Sequence, residues 1–138
     1  MKIRLLLLIC LLIAALVLSV ACQESNVARL GMEFSLHIRE GAPIEGEKLH
    51  IKFLEVVTDS RCPKGVTCIW EGEVSCLVEI EYEESVHQII LTEPGLTSWP
   101  PREHFQEYEI AYQVEPYPVA GVEIAEEDYQ LHLTVTKP

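Results

Sequence analysis

Residues 74–82 read Val74-Ser75-Cys76-Leu77-Val78-Glu79-Ile80-Glu81-Tyr82, and their pattern is the clearest indication of the fold class. Apolar side chains occupy every even position, whereas serine and glutamate take most of the odd ones. Successive side chains of a β-strand point to opposite faces of the sheet. The stretch therefore predicts a strand with one face buried in a core and the other in water.

Shorter stretches with the same alternation lie on both sides of this strand, and turns rich in Gly and Pro separate them. Their apolar members are Phe34, Leu36 and Ile38; Leu49, Ile51 and Phe53; residues 89–91; Tyr108, Ile110, Tyr112 and Val114; and Tyr129, Leu131, Leu133 and Val135. No segment has a sustained helical period, although we expect a short turn at residues 126–128. The pattern predicts an all-β fold, a single antiparallel β-sandwich of six to eight strands.

Two topologies fit this pattern. Asp128-Tyr129 is similar to the tyrosine corner of immunoglobulin-like sandwiches, so an Ig-like order of strands is preferred. A small barrel is the alternative.

Residues 1–22 have the order of a secretory signal peptide. Lys2 and Arg4 precede an apolar run at residues 5–18, and small residues then lead to Cys22. The end of this segment resembles the lipobox of bacterial lipoproteins, which implies that Cys22 becomes lipidated. An uncleaved membrane anchor and ordinary cleavage with a free cysteine are the alternatives.

The three alternatives place the rest of the chain outside the cytoplasm. We expect a signal peptide at residues 1–21, a lipidated Cys22 with a short tether at residues 22–31, and the β-sandwich domain at residues 32–138. The predicted location is the bacterial cell envelope, either periplasmic or surface-exposed. The lipid at Cys22 would hold the domain at the membrane.

The chain is strongly acidic, which limits its partners. The net charge is −12 for all 138 residues, and residues 1–21 contribute two positive charges and no acid, so the remainder carries −14. Such a domain repels phosphate backbones and anionic headgroups. We therefore expect no nucleic-acid partner, and we expect membrane contact to come from the lipid.

Three cysteines remain after Cys22. Cys62 and Cys68 enclose a turn with Pro and Gly that favours a disulfide between them. Cys76 shares the parity of the apolar residues in its strand, which predicts a buried free thiol. A bridge from Cys76 to either of the others is the alternative.

The segment Asp59-Ser60-Arg61-Cys62-Pro63-Lys64-Gly65-Val66-Thr67-Cys68-Ile69-Trp70-Glu71-Gly72-Glu73 is similar to a motif of small exported bacterial lipoproteins. The resemblance extends through residues 91–95, 116–118 and the final strand. That family is uncharacterised, so the resemblance implies an architecture and no reaction.

The same segment has a structural and a functional interpretation. As a structural staple, its disulfide would reverse the chain, Trp70 would cover the sulfurs or the sheet edge, and Gly72 would permit a bulge. Arg61 would form an exposed ion pair with Asp59 or Glu71. As a rigid binding loop it would present hot-spot residue types to a partner. The candidate binding residues are Asp59, Arg61, Lys64, Trp70 and Trp99. Trp99 is expected to pack on the end of the sandwich, and the alternative is that it is exposed for ligand contact.

No catalytic motif is present, and we expect neither an enzyme nor a cofactor. His37, His50 and His132 share outward strand parity, so they could meet on one polar face and create a transition-metal site. The preferred interpretation is that they are solvated and that there is no metal site. The sequence thus predicts an envelope-anchored, non-catalytic lipoprotein that binds an unknown protein or glycan. The alternatives are a small inhibitor of a secreted enzyme and a metal-binding module.

Overall fold

The structure is a computed structural model that describes residues 26–96 and 99–138. The predicted signal peptide and Cys22 lie outside the described residues. Eight strands and one short 3₁₀ helix form the fold: β1 (Glu33–His37), β2 (Gly41–Pro43), β3 (Leu49–Asp59), β4 (Glu73–Tyr82), β5 (Ser85–Pro94), β6 (Arg102–Phe105), β7 (Tyr108–Glu115), the helix Glu126–Asp128 and β8 (Gln130–Thr136). The all-β prediction is confirmed, and the expected turn at residues 126–128 is the 3₁₀ helix.

Two antiparallel four-stranded sheets pack against each other as a β-sandwich. One sheet has the order β1-β8-β7-β6 and the other the order β2-β3-β4-β5. No strand ladder joins the two sheets within the described residues, so the closed small barrel is not the observed arrangement.

The preference for an immunoglobulin-like order of strands was wrong. That order interleaves the two sheets, with the first, second, fifth and fourth strands in one and the third, sixth and seventh in the other. Here β2 to β5 follow one another across one sheet, and β6 to β8 do so across the other. Strands that follow one another in the chain pair within each sheet, even across the long connections at residues 60–72 and 116–129, and the chain changes sheet only between β1 and β2 and between β5 and β6. The Tyr129 hydroxyl also donates to the distant carboxylate of Asp59 and, among the described residues, to no upstream backbone carbonyl.

The core lies between the two sheets and contains the residues that the alternation placed inward. Val74, Cys76, Val78 and Ile80 are almost fully buried, and Phe53 from β3 lies beside them. Every residue of the core cluster falls between Ala28 and Val135. A chain that begins after the predicted signal peptide therefore contains every core residue of the part that the structure describes.

The folded body begins before residue 32, where the sequence placed the end of the tether. Ala28 is buried and forms an isolated parallel bridge with Ile44. Its N–H donates to the carbonyl of Pro43 over 2.9 Å. Residues 26–31 thus lie against the sandwich because Ala28 fills a position in its core. Among the described residues, no helix has the length and apolar composition to cross a membrane.

Three connections meet at one end of the sandwich. Residues 60–72 join β3 to β4, residues 95–101 join β5 to β6, and residues 116–129 join β7 to β8. The strand ends from which they leave are neighbours, since Glu73 pairs with Pro94 and Glu115 pairs with Gln130. We call this side of the molecule the loop end.

Candidate binding surface at the loop end

The predicted disulfide between Cys62 and Cys68 is present, with an S–S distance of 2.06 Å and a Cα–Cα distance of 5.9 Å. It closes the tip of the connection between β3 and β4, which we call the stapled loop (residues 60–72). The base of this loop continues the β3–β4 ladder, because Ser60 N–H donates to Glu73 and Cys62 N–H donates to Glu71, each over 2.8 Å. The loop is therefore fixed at both its base and its tip.

Gly72 is required at the base of the stapled loop. Its φ is +71°. A residue with a side chain adopts this conformation only at a cost in free energy. A Cβ atom here would lie 1.9 Å from the carbonyl oxygen of Ser60. The predicted bulge at Gly72 is not seen, since the irregularities of this ladder lie within β3. The glycine instead lets two backbone segments approach each other.

Arg61 lies beneath the stapled loop, and the expectation of an exposed ion pair was wrong. Its side chain is 1% exposed and that of Asp59 is 9% exposed. The guanidinium is bonded on both edges: Nε and Nη2 donate to the Asp59 carboxylate over 2.9 and 2.6 Å. Nη1 donates to the carbonyl of Val114 over 2.8 Å, and Nη2 also donates to that of Pro116 over 3.0 Å. A charge this deeply buried is stable only when such partners replace water.

The predicted pairing of Arg61 with Asp59 is confirmed, and a further partner completes it. The phenol of Tyr129 donates to Asp59 Oδ2 over 3.1 Å. Burial raises the pKa of the Asp59 carboxyl, but the hydrogen bonds and charge of Arg61 outweigh burial, so the pKa lies below its ordinary value. Burial, followed by the charge of Asp59, raises the pKa of Tyr129 to about 12. The pair is therefore ionised, and the phenol is neutral at physiological pH.

Tyr117 holds the stapled loop from the side. Its hydroxyl donates to the carbonyl of Cys62 over 3.0 Å. Its ring lies under two cations, 5.0 Å from the Arg61 guanidinium and 5.3 Å from the Lys64 ammonium. Lys64 N–H donates to the carbonyl of Pro118 over 2.9 Å, so the backbone of this connection supports the loop as well.

Glu93 is a buried carboxylate that was not among the candidate residues predicted from the sequence. One of its oxygens accepts a hydrogen bond from the N–H of Val114 over 2.6 Å. Burial raises its pKa, although that hydrogen bond and the charge of Arg61 act against the rise. The alternation of β5 could have indicated its burial, because Glu93 lies two residues after the buried Leu91 and therefore on the same face of the strand. Its carboxylate links the two sheets beside the Arg61–Asp59 pair.

The five candidate binding residues separate into two groups. Asp59 and Arg61 are interior and act as a support, whereas Lys64, Trp70 and Trp99 are exposed. Trp99 is 83% exposed, so the expectation that it packs on the sandwich was wrong. Tyr112 N–H donates to the carbonyl of Pro101, two residues after Trp99, over 3.1 Å, and the indole itself lies in solvent.

Exposed apolar side chains are concentrated at the loop end. Ile69 is fully exposed and Trp70 is 65% exposed, so Trp70 does not cover the disulfide from solvent. Both line a cleft of about 530 Å³ that also includes Leu96 and Tyr117. We define the loop-end surface as the exposed residues Val66, Ile69, Trp70, Leu96, Trp99 and Val119. Exposed apolar patches on a folded domain mark interaction sites.

The three histidines do not meet on one face. His37 and His132 belong to the sheet that contains β1 and β8, whereas His50 lies on β3 in the other sheet. Parity alone could not reveal which sheet each strand joins. Within residues 26–96 and 99–138, no group of three or more His, Cys, Asp and Glu side chains is placed to hold a metal ion.

Cys76 is the buried free thiol that its parity predicted, and it is fully enclosed in the core. Burial, with a smaller effect from the negative charge of Glu93, raises its pKa to about 12. A thiol in this state is a poor nucleophile, because the thiolate is the reactive form. Its role is to fill the core.

Comparisons with models of protein families, with curated proteins and with solved structures found no match.

Proposed function

We propose that the protein is a non-catalytic binding module of the bacterial cell envelope, lipid-anchored through Cys22, and that it binds through the loop-end surface. The observation that carries the proposal is the combination of an exposed apolar surface with a loop immobilised beneath it. Ile69 and Trp70 lie in water on a segment fixed by the disulfide, by Arg61 and by Tyr117.

Immobilisation favours binding because an ordered loop loses little conformational entropy when its partner arrives. The loop end achieves this order at a cost, since Arg61 and Asp59 are removed from water to hold it. Tryptophan is enriched among residues that dominate binding energies. The two tryptophans of the chain, Trp70 and Trp99, both belong to the loop-end surface.

Site-specific photo-crosslinking in intact cells tests the proposed surface. A photoreactive residue at Ile69 replaces a fully exposed side chain and should give adducts with an envelope component. The matched control is Val86, which is 61% exposed near the start of β5, at the other end of the sandwich. Adducts that form equally from both positions would contradict a specific surface at the loop end.

The proposed anchor has its own test. Incorporation of labelled fatty acid into the wild type, and its absence in a Cys22→Ala variant, is the expected result. A wild-type protein that carries no label would contradict the anchor and leave the binding surface to be judged by crosslinking.

A further inference from the structure

Four strands, β1, β2, β5 and β6, lie at the edges of the two sheets. An edge strand has a row of backbone N–H and C=O groups without partners in its sheet, and proteins shield such rows with short strands, charges or proline. Among the described residues, three of the four edges are shielded in this way. β2 has three residues and includes Pro43, β1 has five and includes Glu33, and β6 has four and includes Arg102 and Glu103.

The edge formed by β5 lacks this protection over most of its length. The strand has ten residues, and its one proline is Pro94 at the last position. Residues 85–92 contain no Asp, Glu, Lys or Arg, in a chain whose net charge is −12. The outward side chains of Val86 and Ile90 are 61% and 57% exposed. Gln88 between them is exposed as well. This edge is therefore long, apolar and open to a partner.

The hairpin between β4 and β5 determines which backbone groups face the free edge. Tyr82 pairs with Ser85 across a two-residue turn, so these two residues exchange backbone hydrogen bonds. Hydrogen-bonded pairs alternate along an antiparallel ladder, and Val86, Gln88 and Ile90 therefore direct their N–H and C=O groups away from β4. Within residues 26–96 and 99–138, these groups have no backbone partner.

The free row is symmetric about its middle residue. It stops at Thr92, whose carbonyl accepts the Tyr112 hydroxyl over 2.9 Å. Gln88 is the middle of the free residues, with Val86 two positions before it and Ile90 two positions after it. In an antiparallel pairing centred on Gln88, Val86 of each copy lies opposite Ile90 of the other. Both cross-strand pairs are then apolar, and residues 85–91 bring no like charges together.

We infer that β5 pairs with β5 of a second copy of this chain, antiparallel and with the two-fold axis at Gln88, so that two four-stranded sheets become one sheet of eight strands. Each free N–H group of one copy donates to a free carbonyl of the other. The two-fold symmetry closes the contact at a dimer, because both free rows are used once the pair has formed. The contact is independent of the proposed function, since it involves neither Cys22 nor the loop-end surface.

Engineered disulfides test the register. In residues 23–138, Cys62 is bonded to Cys68 and Cys76 is buried, so a cysteine placed in β5 is the exposed one. Opposite residues of a hydrogen-bonded pair have Cα atoms about 5.5 Å apart, which lies within the range for a disulfide. Gln88→Cys faces its own counterpart on the axis, and mild oxidation should link it into a covalent dimer.

Two matched variants carry the cysteine away from the axis. Val86→Cys or Ile90→Cys alone places the two cysteines of a dimer four positions apart along the strands, about 13 Å, which is too far for a disulfide. Each should stay unlinked, whereas a mixture of these two variants should be linked. Linking of Gln88→Cys or of the mixture, with neither control linked, supports the register. No linking in either, or equal linking in all variants, would overturn the inference.

The association of the unmodified domain is a second measurement. Residues 23–138 contain every core residue of the described part. Sedimentation over a series of protein concentrations should show the mass rising from that of one chain to that of two. Added salt should favour the dimer, because two acidic copies repel each other. A mass that stays at one chain at every concentration would overturn the inference.

Matched pairs of substitutions locate the association. Val86→Glu with Ile90→Glu places like charges opposite each other across the dimer and should weaken association about tenfold or more. Val57→Glu with Val122→Glu adds the same charge at two other exposed positions and should leave association nearly unchanged. All four side chains are exposed, so both variants should fold, which denaturation in urea checks. Equal weakening by the two pairs would overturn the inference.

Crosslinking of the full chain in intact cells separates this contact from the proposed function. A photoreactive residue at Val86 should give an adduct of two copies of this chain, which its mass distinguishes from an adduct of Ile69 with an envelope component. A dimeric adduct from Val86 without any adduct from Ile69 would support the pairing of β5 and contradict the loop-end surface. The reverse result would contradict the pairing and leave the loop-end surface standing.

Discussion

The phenol oxygen of Tyr129 lies 3.1 Å from Oδ2 of Asp59, although the two residues are 70 positions apart in the sequence. Asp59 ends β3 in one sheet, and Tyr129 directly precedes β8 in the other. Because Asp59 also holds Arg61, which bonds the carbonyl of Val114 on β7, one polar network joins both sheets at the loop end. The network replaces apolar packing where the core ends.

Removing the cation of this network should strongly destabilise the protein. Arg61→Met leaves the Asp59 carboxylate buried without its counter-ion and leaves the Val114 carbonyl without its donor. We expect a loss of about 3–5 kcal/mol in the free energy of unfolding, measured by urea denaturation. Arg29→Met breaks an exposed pair with Glu45 and should cost less than about 1 kcal/mol. Equal effects of the two substitutions would contradict the assigned role.

Tyr129→Phe should have an effect that depends on pH. The folded pKa of Asp59 is below its ordinary value of 3.8, so its contribution to stability is present above that value and is lost as the pH falls through the folded pKa. We expect a loss of about 1–2 kcal/mol at pH 7 that shrinks below pH 3.8, measured by urea denaturation at a series of pH values.

Tyr112→Phe is the matched control for this titration. Its hydroxyl donates to the neutral carbonyl of Thr92 over 2.9 Å, so its loss should not change with acidification. The same pH dependence in both variants would show that Tyr129 does not act through Asp59.

Gly72→Ala should be far more costly than Gly46→Ala. Gly72 and Gly46 both have positive φ, but a Cβ at Gly46 has no atom within 4 Å, whereas one at Gly72 would overlap the Ser60 carbonyl. We expect Gly46→Ala to cost about 1 kcal/mol and Gly72→Ala roughly 3 kcal/mol or more. Thermal unfolding of the two variants measures the difference, and similar melting temperatures would refute the close contact.

Loss of the disulfide should destabilise the folded domain, because it increases the conformational entropy of the unfolded chain. Replacing Cys62 and Cys68 together by serine is expected to lower the free energy of unfolding by about 2 kcal/mol, at the low end for disulfides because the bridge closes a short loop. Urea denaturation of the variant and of the wild type treated with dithiothreitol should agree. A serine variant as stable as the oxidised wild type would exclude a stabilising bridge.

Cys76 should resist alkylation until the protein unfolds. In residues 23–138 it is the one cysteine outside the disulfide. Its pKa of about 12 leaves almost no thiolate at pH 8, and its sulfur is enclosed. Iodoacetamide should therefore modify it in concentrated urea and not in buffer, as followed by mass spectrometry. Rapid modification of the native protein would contradict its burial.

The alternation of apolar residues was sufficient to predict the strands that fill the core. It placed Val74, Cys76, Val78 and Ile80 inward because a strand buried on one face has a strict period of two. It did not predict β2 or β6, which are short edge strands with few inward apolar residues. It also predicted only residues 89–91 of β5, because the first half of this strand is mostly exposed.

The interior of the candidate site could not be predicted from local patterns. Arg61 stands in a turn with Pro, Lys and Gly, which is typical of exposed chain. The carbonyls that make its burial possible belong to residues 53 and 55 positions later. The direction of Trp99 was equally undetermined, because two prolines after it fix the backbone and not the indole. The resemblance to exported lipoproteins stays a prediction.

The pairing of β1 with β8 has a consequence for biosynthesis. Every ladder within the described residues joins consecutive strands except the one between β1 and β8, which come from opposite ends of the chain. Of the eight described strands, a ribosome releases β1 first and its partner β8 last. Leu36, completely buried in the finished protein, therefore waits exposed until Gln130 to Thr136 arrive. Nascent or truncated chains that lack β8 present this unpaired strand to chaperones and proteases, and β1 acquires its partner only once Gln130 to Thr136 have been made.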